Sequence, residues 1–144
     1  MCQCYNKQCI AHYSIKGMEK VMIKRFEDIE AWQEARQLNN MVYELLKKPC
    51  CQFEFCLQDQ IKRASISIMA NIAEGFERRT DRSFAQFLNY AIASASELQS
   101  HLYVALDQGL IDTDEFEQAY EKITRIKGLA GAFIRYLRKK DRQS

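Results

Sequence analysis

Proline and glycine are scarce in this chain: one Pro and five Gly among 144 residues. No run shows the strict apolar–polar alternation of a half-buried strand. No apolar run approaches the ~20 residues needed to span a bilayer. The N-terminal stretch MCQCYNKQCIAHYSIKG lacks the apolar h-region of a secretory signal. These absences point to a cytoplasmic helical protein with no membrane segment. Charge of one sign is missing too: 21 Lys and Arg stand against 19 Asp and Glu, a net +2. A nucleic-acid partner therefore has to be argued from local clustering, not bulk charge.

What is present is ordinary for one soluble domain. A chain of 144 residues can bury a core without disulfides or metal. Six cysteines fall in two groups, Cys2, Cys4 and Cys9, then Cys50, Cys51 and Cys56. In a reducing compartment they are thiols. Cys2, Cys4, Cys9 and His12 form C-x-C-x4-C-x2-H, which is not a C-x2-C zinc spacing, and no second knuckle follows. No metal or other cofactor is assigned. Residues 1–25 read as a leader, 26–140 as a helical body and 141–144 as a tail. Met18 and Met22 are alternative starts, which would make residues 1–17 an upstream extension.

From Phe26 onward the pattern is helical. The first helix starts near Asp28, an N-cap candidate, and carries Ile29, Trp32, Ala35 or Arg36, Asn39, Val42 and Leu46 at helical spacing. Pro49 stops it, and the loop runs from about Pro49 to Phe53. The second helix, about Glu54 to Glu77, has the apolar stripe Leu57, Ile61, Ala64, Ile68 and Ile72. A second stripe, Ile66, Met69, Ala70 and Ala73, implies burial on more than one side, including against another subunit.

The third helix, about Asp81 to Gln108, has Thr80 as N-cap and Gly109 as stop. Its apolar face is Phe84, Phe87, Leu88, Ala91, Ala95, Leu98, Leu102, Ala105 and Leu106. The fourth, about Thr113 to Lys140, opens on a capping box of Asp112 and Glu115. Phe116, Ala119, Tyr120, Ile123, Ile126, Ala130, Phe133 and Leu137 are its apolar residues. Four helices with short connections predict an all-α, antiparallel up-down four-helix bundle.

Polar residues interrupt these helices in register. Gln60, Arg63, Ser67, Asn71 and Glu74 fall on one stripe of the second helix at ~100° per residue. Tyr90, Ser94, Glu97 and His101 do the same on the third. Folding the two helices about a turn near Arg79 sets Asn71 near Tyr90, Ser67 near Ser94, Arg63 near Glu97 and Gln60 near His101. The expectation is a polar seam with Arg63–Glu97 as its ion pair, since an unpaired buried charge is costly. The structural reading of the seam is register. The chemical reading makes Glu74, Tyr90, Glu97 and His101 acid–base groups. Against it, the Glu-x-x-His pattern of di-iron bundles is absent, and His101 is the one histidine of the helical body. The chain is read as non-enzymatic.

Two basic clusters stand out: Arg78, Arg79 and Arg82 in the second turn, and Arg135, Arg138, Lys139, Lys140 and Arg142 at the C-terminus. An up-down bundle puts both at one end, where they form a candidate phosphate-binding surface. Lysines and arginines at a helix C-terminus also simply complement its dipole. No aromatic residues interleave with these charges, which disfavours sequence-specific single-strand readout.

Several segments together resemble a known family: F-E-D-I-E-A-W-Q-E-A-R at 26–36, Q-I-K-R-A at 60–64, N-I-A-E-G at 71–75, R-R-T at 78–80, F-L at 87–88 and A-I-A-S-A-S-E-L at 91–98. They are similar to the 23S rRNA-intervening-sequence proteins, over about residues 26–138. The chain departs from that family at Met69, where a Pro is usual, at Ala93-Ser94, usually Gly-Ser, and at Ser83, usually the Glu of a capping box. The resemblance implies a four-helix bundle assembled as a ring-shaped homo-oligomer, commonly a pentamer, with no established enzymatic activity. A structurally related retroelement accessory variability protein binds a reverse transcriptase and RNA, and by analogy the resemblance implies RNA or an RNA-binding protein as partner. The rival readings are a protein-binding scaffold without nucleic-acid contact, and a small enzyme using His101 and Glu97.

Overall fold

The computed structural model describes residues 10–11, 22–48 and 54–143. Four helices dominate them: α1 (Glu30–Leu46), α2 (Phe55–Phe76), α3 (Asp81–Asp107) and α4 (Thr113–Gln143). They pack around one core, α1 on α2 and α4, and α3 on α2 and α4. Asn39 meets Ser65 while Tyr43 meets Lys62. Glu30 meets Arg125 while Glu34 meets Lys122. Ahead of α1, the two-residue strand β1 (Ile10–Ala11) pairs antiparallel with β2 (Met22–Ile23), Ile10 opposite Ile23. Alternation cannot reveal strands this short. Cys2, Cys4, Cys9, His12, Cys50, Cys51 and the loop of residues 49–53 lie outside the described residues.

The apolar stripes become the core as expected. Leu38 and Val42 of α1, Ile61, Ile68 and Ile72 of α2, Leu88, Leu98 and Leu102 of α3, and Ile123, Ile126 and Leu137 of α4 are fully buried. Each such side chain contributes ~1.5–3 kcal/mol through removal from water. On α1 and at its cap position the expected Ile29, Ala35, Val42 and Leu46 are buried. Ala31 and Leu38 are also buried, whereas Arg36 is exposed and Asn39 half-buried. The second stripe of α2 is covered only in part: Met69 packs against the core, whereas Ile66 is 46% exposed and Ala70 is exposed.

Helix ends follow local chemistry. Thr80 Oγ1 accepts from the Ser83 backbone N–H at 3.1 Å, so the N-cap survives without a glutamate partner. The Asp112–Glu115 capping box is complete, with the Glu115 N–H donating to Asp112 Oδ1 at 2.8 Å and the Asp112 N–H to Glu115 Oε2 at 3.0 Å. Glu115 also pairs with Lys48, tying the end of α1 to the start of α4. Gly109, at φ 68°, closes α3 in a Schellman arrangement. There the Leu110 N–H reaches the Ala105 carbonyl and the Gly109 N–H reaches that of Leu106.

Asp28 is not the N-cap of α1. It accepts from the Lys24 and Arg25 N–H groups and holds a 3₁₀ turn over Phe26–Asp28 instead. The α1 cap position falls to Ile29, which offers no side-chain oxygen. At the other end of the fold, α4 runs three residues past the expected Lys140, to Gln143.

Two substitutions separate core from cap. Leu98→Ala should destabilise the fold by about 2–5 kcal/mol, and Asp112→Ala by about 1 kcal/mol. Urea unfolding should show both as lower midpoints at unchanged slope.

Candidate nucleic-acid interface

The two basic clusters meet. α2 ends at Phe76, four residues turn the chain, and α3 starts at Asp81. The last turns of α4 reach the same place, where Lys140 Nζ lies 3.0 Å from Asp81 Oδ2. Arg82 and Arg138 stand on the walls of one cleft between α3 and α4. This end carries eight basic side chains, from Arg78 to Arg142, against four acidic ones: Glu74, Glu77, Asp81 and Asp141.

The cations differ in how far they are committed. Arg78 pairs with Glu74 one helical turn back, and its guanidinium lies 4.4 Å from the Phe87 ring centroid. Both contacts fix it against α3. Lys140 is held by Asp81. Arg79, Arg82, Arg135, Arg138, Lys139 and Arg142 are exposed, and among the described residues none forms an ion pair or hydrogen bond. These six can meet phosphates without first breaking a contact.

Gly75 sets how closely α3 approaches this end. A Cβ placed there would sit 2.7 Å from Phe87 Cβ and 2.8 Å from Phe84 Cδ2, closer than real contacts allow. The sequence alone attaches no role to this glycine. Phe84 is 1% exposed and packs edge-on against Phe76 of α2 and Phe133 of α4, at 6.1 and 5.0 Å. It has little room to yield.

The polar seam is smaller than expected. Ser67 and Ser94 hydroxyls do meet, at 2.8 Å, and Asn71 Nδ2 donates to Ser67 O and Oγ at 2.8 and 3.0 Å. The Arg63–Glu97 ion pair does not form. Arg63 pairs with Asp59 at 2.9 Å and Glu97 with His101 at 3.4 Å, each one turn away on its own helix. Glu74 turns to Arg78 rather than to α3. Gln60, Arg63, Glu74, Tyr90 and Glu97 are exposed. The stripes lie at the rim of the α2–α3 contact, so only the short side chains at its middle are buried, and the long ones find partners on their own helix.

The acid–base candidates do not converge. Tyr90 packs on Phe87, and His101 lies about 16 Å further along α3 by the helical rise. Among the described residues no three His, Cys, Asp or Glu side chains gather as a metal site.

Beyond Ser67–Ser94, several polar contacts bridge helices at places the expected seam does not mark. Glu34 joins Lys122 at 2.7 Å and Arg125 at 3.3 Å, and Arg125 also holds Glu30. Lys127 donates to Ser96 Oγ and Gln99 Oε1, and Gln99 donates to Thr124 Oγ1. Ser65 donates to Asn39 Oδ1. The opposite charges at i, i+4 on α1 and i, i+3 on α4 are the signal that reveals the first of these.

Gly75→Ala tests the close approach. The helix propensity gained, up to ~1 kcal/mol, should be outweighed by ~1–3 kcal/mol of overpacking. The melting temperature should therefore fall, whereas Gly128→Ala, with open space around it, should leave it level or raise it.

Comparison with known proteins agrees with this architecture. No curated protein matches the chain. A solved structure does, that of a protein of unknown function from the S23 ribosomal protein family of Bacteroides thetaiotaomicron. It is 27% identical, with a TM-score of 0.63, and the match covers 76% of this chain and 97% of that one. The family model described as 23S rRNA-intervening sequence protein matches residues 27–132, which span the four helices from the turn before α1 to the middle of α4. On that match the chain belongs to the 23S rRNA-intervening sequence protein family.

Proposed function

We propose that this protein is a non-enzymatic, cytoplasmic, antiparallel up-down bundle that self-associates into a ring and binds RNA or a ribonucleoprotein through its basic end. The carrying observation is the gathering of six uncommitted cations around that end, in a chain whose net charge is only +2. Phosphate contacts of this kind give affinity without base specificity.

The exposed half of the second stripe of α2 supports self-association: Ile66 is 46% exposed and Ala70 is exposed, while Met69 and Ala73 are half-buried. A ring, a pentamer in the family pattern, repeats the basic end around an axis and multiplies weak contacts.

A second reading rests on a different surface. Tyr103 and Val104 on α3 are 48% and 44% exposed, and Tyr103 packs on Phe116 and Tyr120. This aromatic ledge suits a protein partner, with the ring acting as a scaffold that never touches nucleic acid.

Salt dependence separates the two. On the first reading, RNA affinity should fall steeply with salt, and each of Arg79→Gln, Arg82→Gln and Arg138→Gln should reduce the logarithmic slope by about 0.7–1. A partner bound with weak salt dependence would select the scaffold. Native mass spectrometry of untagged protein at low salt tests the assembly: a closed ring supports it and a clean monomer overturns it.

A further inference from the structure

The cleft at the basic end has more than charge on its walls. Its volume is about 300 Å³. Arg82, Gln86 and Asn89 line one side from α3 at spacings of four and three, so they share one face of that helix. Arg138 and Asp141 line the other from the last turns of α4. Between them the floor is apolar, formed by Ala85 and Leu137, which are 5% and 1% exposed. Asp81 also borders the cleft, but Lys140 already occupies its carboxylate. Gln86, Asn89, Arg82, Arg138 and Asp141 form no hydrogen bond or ion pair among the described residues.

Bare phosphate would use the two arginines and leave the rest idle. A ribonucleotide uses the arginines, the amides and the carboxylate. The guanidiniums suit its phosphate, and the side-chain amides suit the donor–acceptor edge of a base. The free carboxylate of Asp141 accepts from a ribose hydroxyl, the group that tells RNA from DNA. The volume stands at the lower end of ligand pockets, roughly 300–1,000 Å³, room for one nucleotide and not for a duplex.

We infer that this cleft takes one ribonucleotide unit, either free or as a splayed residue of a single strand. The inference rests on the RNA-binding reading above and narrows it: the basic end holds the backbone, and the cleft reads one unit. It adds a non-aromatic base site where the sequence shows no stacking platform.

Fluorescence anisotropy with labelled single-stranded 12-mers, one ribo- and one deoxyribo- of the same sequence, tests it on the full chain. Gln86→Ala with Asn89→Ala removes the amides and leaves the charge unchanged. It should weaken ribo-oligomer binding about tenfold at an unaltered salt slope. Asp141→Asn should bring the ribo- and deoxyribo-oligomer affinities together. Gln86→Ala alone, at an exposed position, supplies the same reading if the double variant does not fold. Competition by millimolar AMP would assign the site to free nucleotides. Its failure, with amide-dependent oligomer binding intact, would assign it to the strand. If the amide variants bind the ribo-oligomer as tightly as the parent while Arg79→Gln still weakens it, the cleft inference is overturned and the basic end stands. If the parent binds neither oligomer, the RNA-binding reading itself falls.

Discussion

The approach of α3 to α2 at Gly75 is the contact on which the functional end depends. With no Cβ there, the Phe84 ring can lie against the α2 backbone and still reach Phe76 and Phe133. One aromatic side chain thereby joins three helices just below the turn. Phe87, one position round on the same face, also touches Gly75 and presents its ring to Arg78. Moving α3 outward by the width of a methyl group would disturb the core and the cation above it together. Interiors packed to crystal-like density transmit such shifts rather than absorb them. The Glu and Gly of N-I-A-E-G therefore serve one purpose: the glycine admits the rings, and Glu74 holds the arginine that lies on one of them.

Charge is divided between holding the bundle and facing solvent. Along α1 and α4, Glu34 is only 13% exposed and takes both Lys122 and Arg125, so these charges serve packing. Removing one member would leave its partners uncompensated in a half-dry groove. At the far end of α4 the balance reverses, and cations outnumber the carboxylates near them. Two are tied down, Arg78 and Lys140, and they fix the turn and the helix terminus. The rest extend from that fixed base. A base fixed by ion pairs with exposed cations around it suits a polyanion, because long, exposed Arg and Lys side chains can each meet a different phosphate.

Much of this fold was legible in the sequence. Apolar residues every three or four positions placed all four helices, and the Thr80, Asp112 and Gly109 signals marked ends that the structure reproduces. The two basic clusters are visible in the sequence as well, and Lys140 beside Asp81 shows that they share one end. The polar seam was read less well. Periodicity says which residues share a face, and says nothing of whether that face lies at the middle or the rim of a contact. The short hydroxyls of Ser67 and Ser94 meet across the contact; the longer Arg63 and Glu97 stay exposed and pair locally. Gln99 and Ser65 were missed for the converse reason. Their neighbours in sequence include other polar residues, and only the facing helix shows which of them are satisfied across a contact. Gly75 was invisible because a helical glycine shows its purpose only when something packs on it.

The distribution of titratable groups bears on what such a molecule can do. Acid–base chemistry needs groups within hydrogen-bond reach of one reacting atom, and here Tyr90, Glu74 and the Glu97–His101 pair occupy separate stretches of the α2–α3 surface. Electrostatic capture makes no such demand, since phosphates several ångströms apart can each find a different cation. It gains instead from repetition. In the proposed ring, each basic end is weak alone, but engagement of one raises the effective concentration of the strand at the next to the millimolar range. Local contacts of modest strength then suffice. On that proposal, six exposed cations on a chain of net charge +2 act together through assembly.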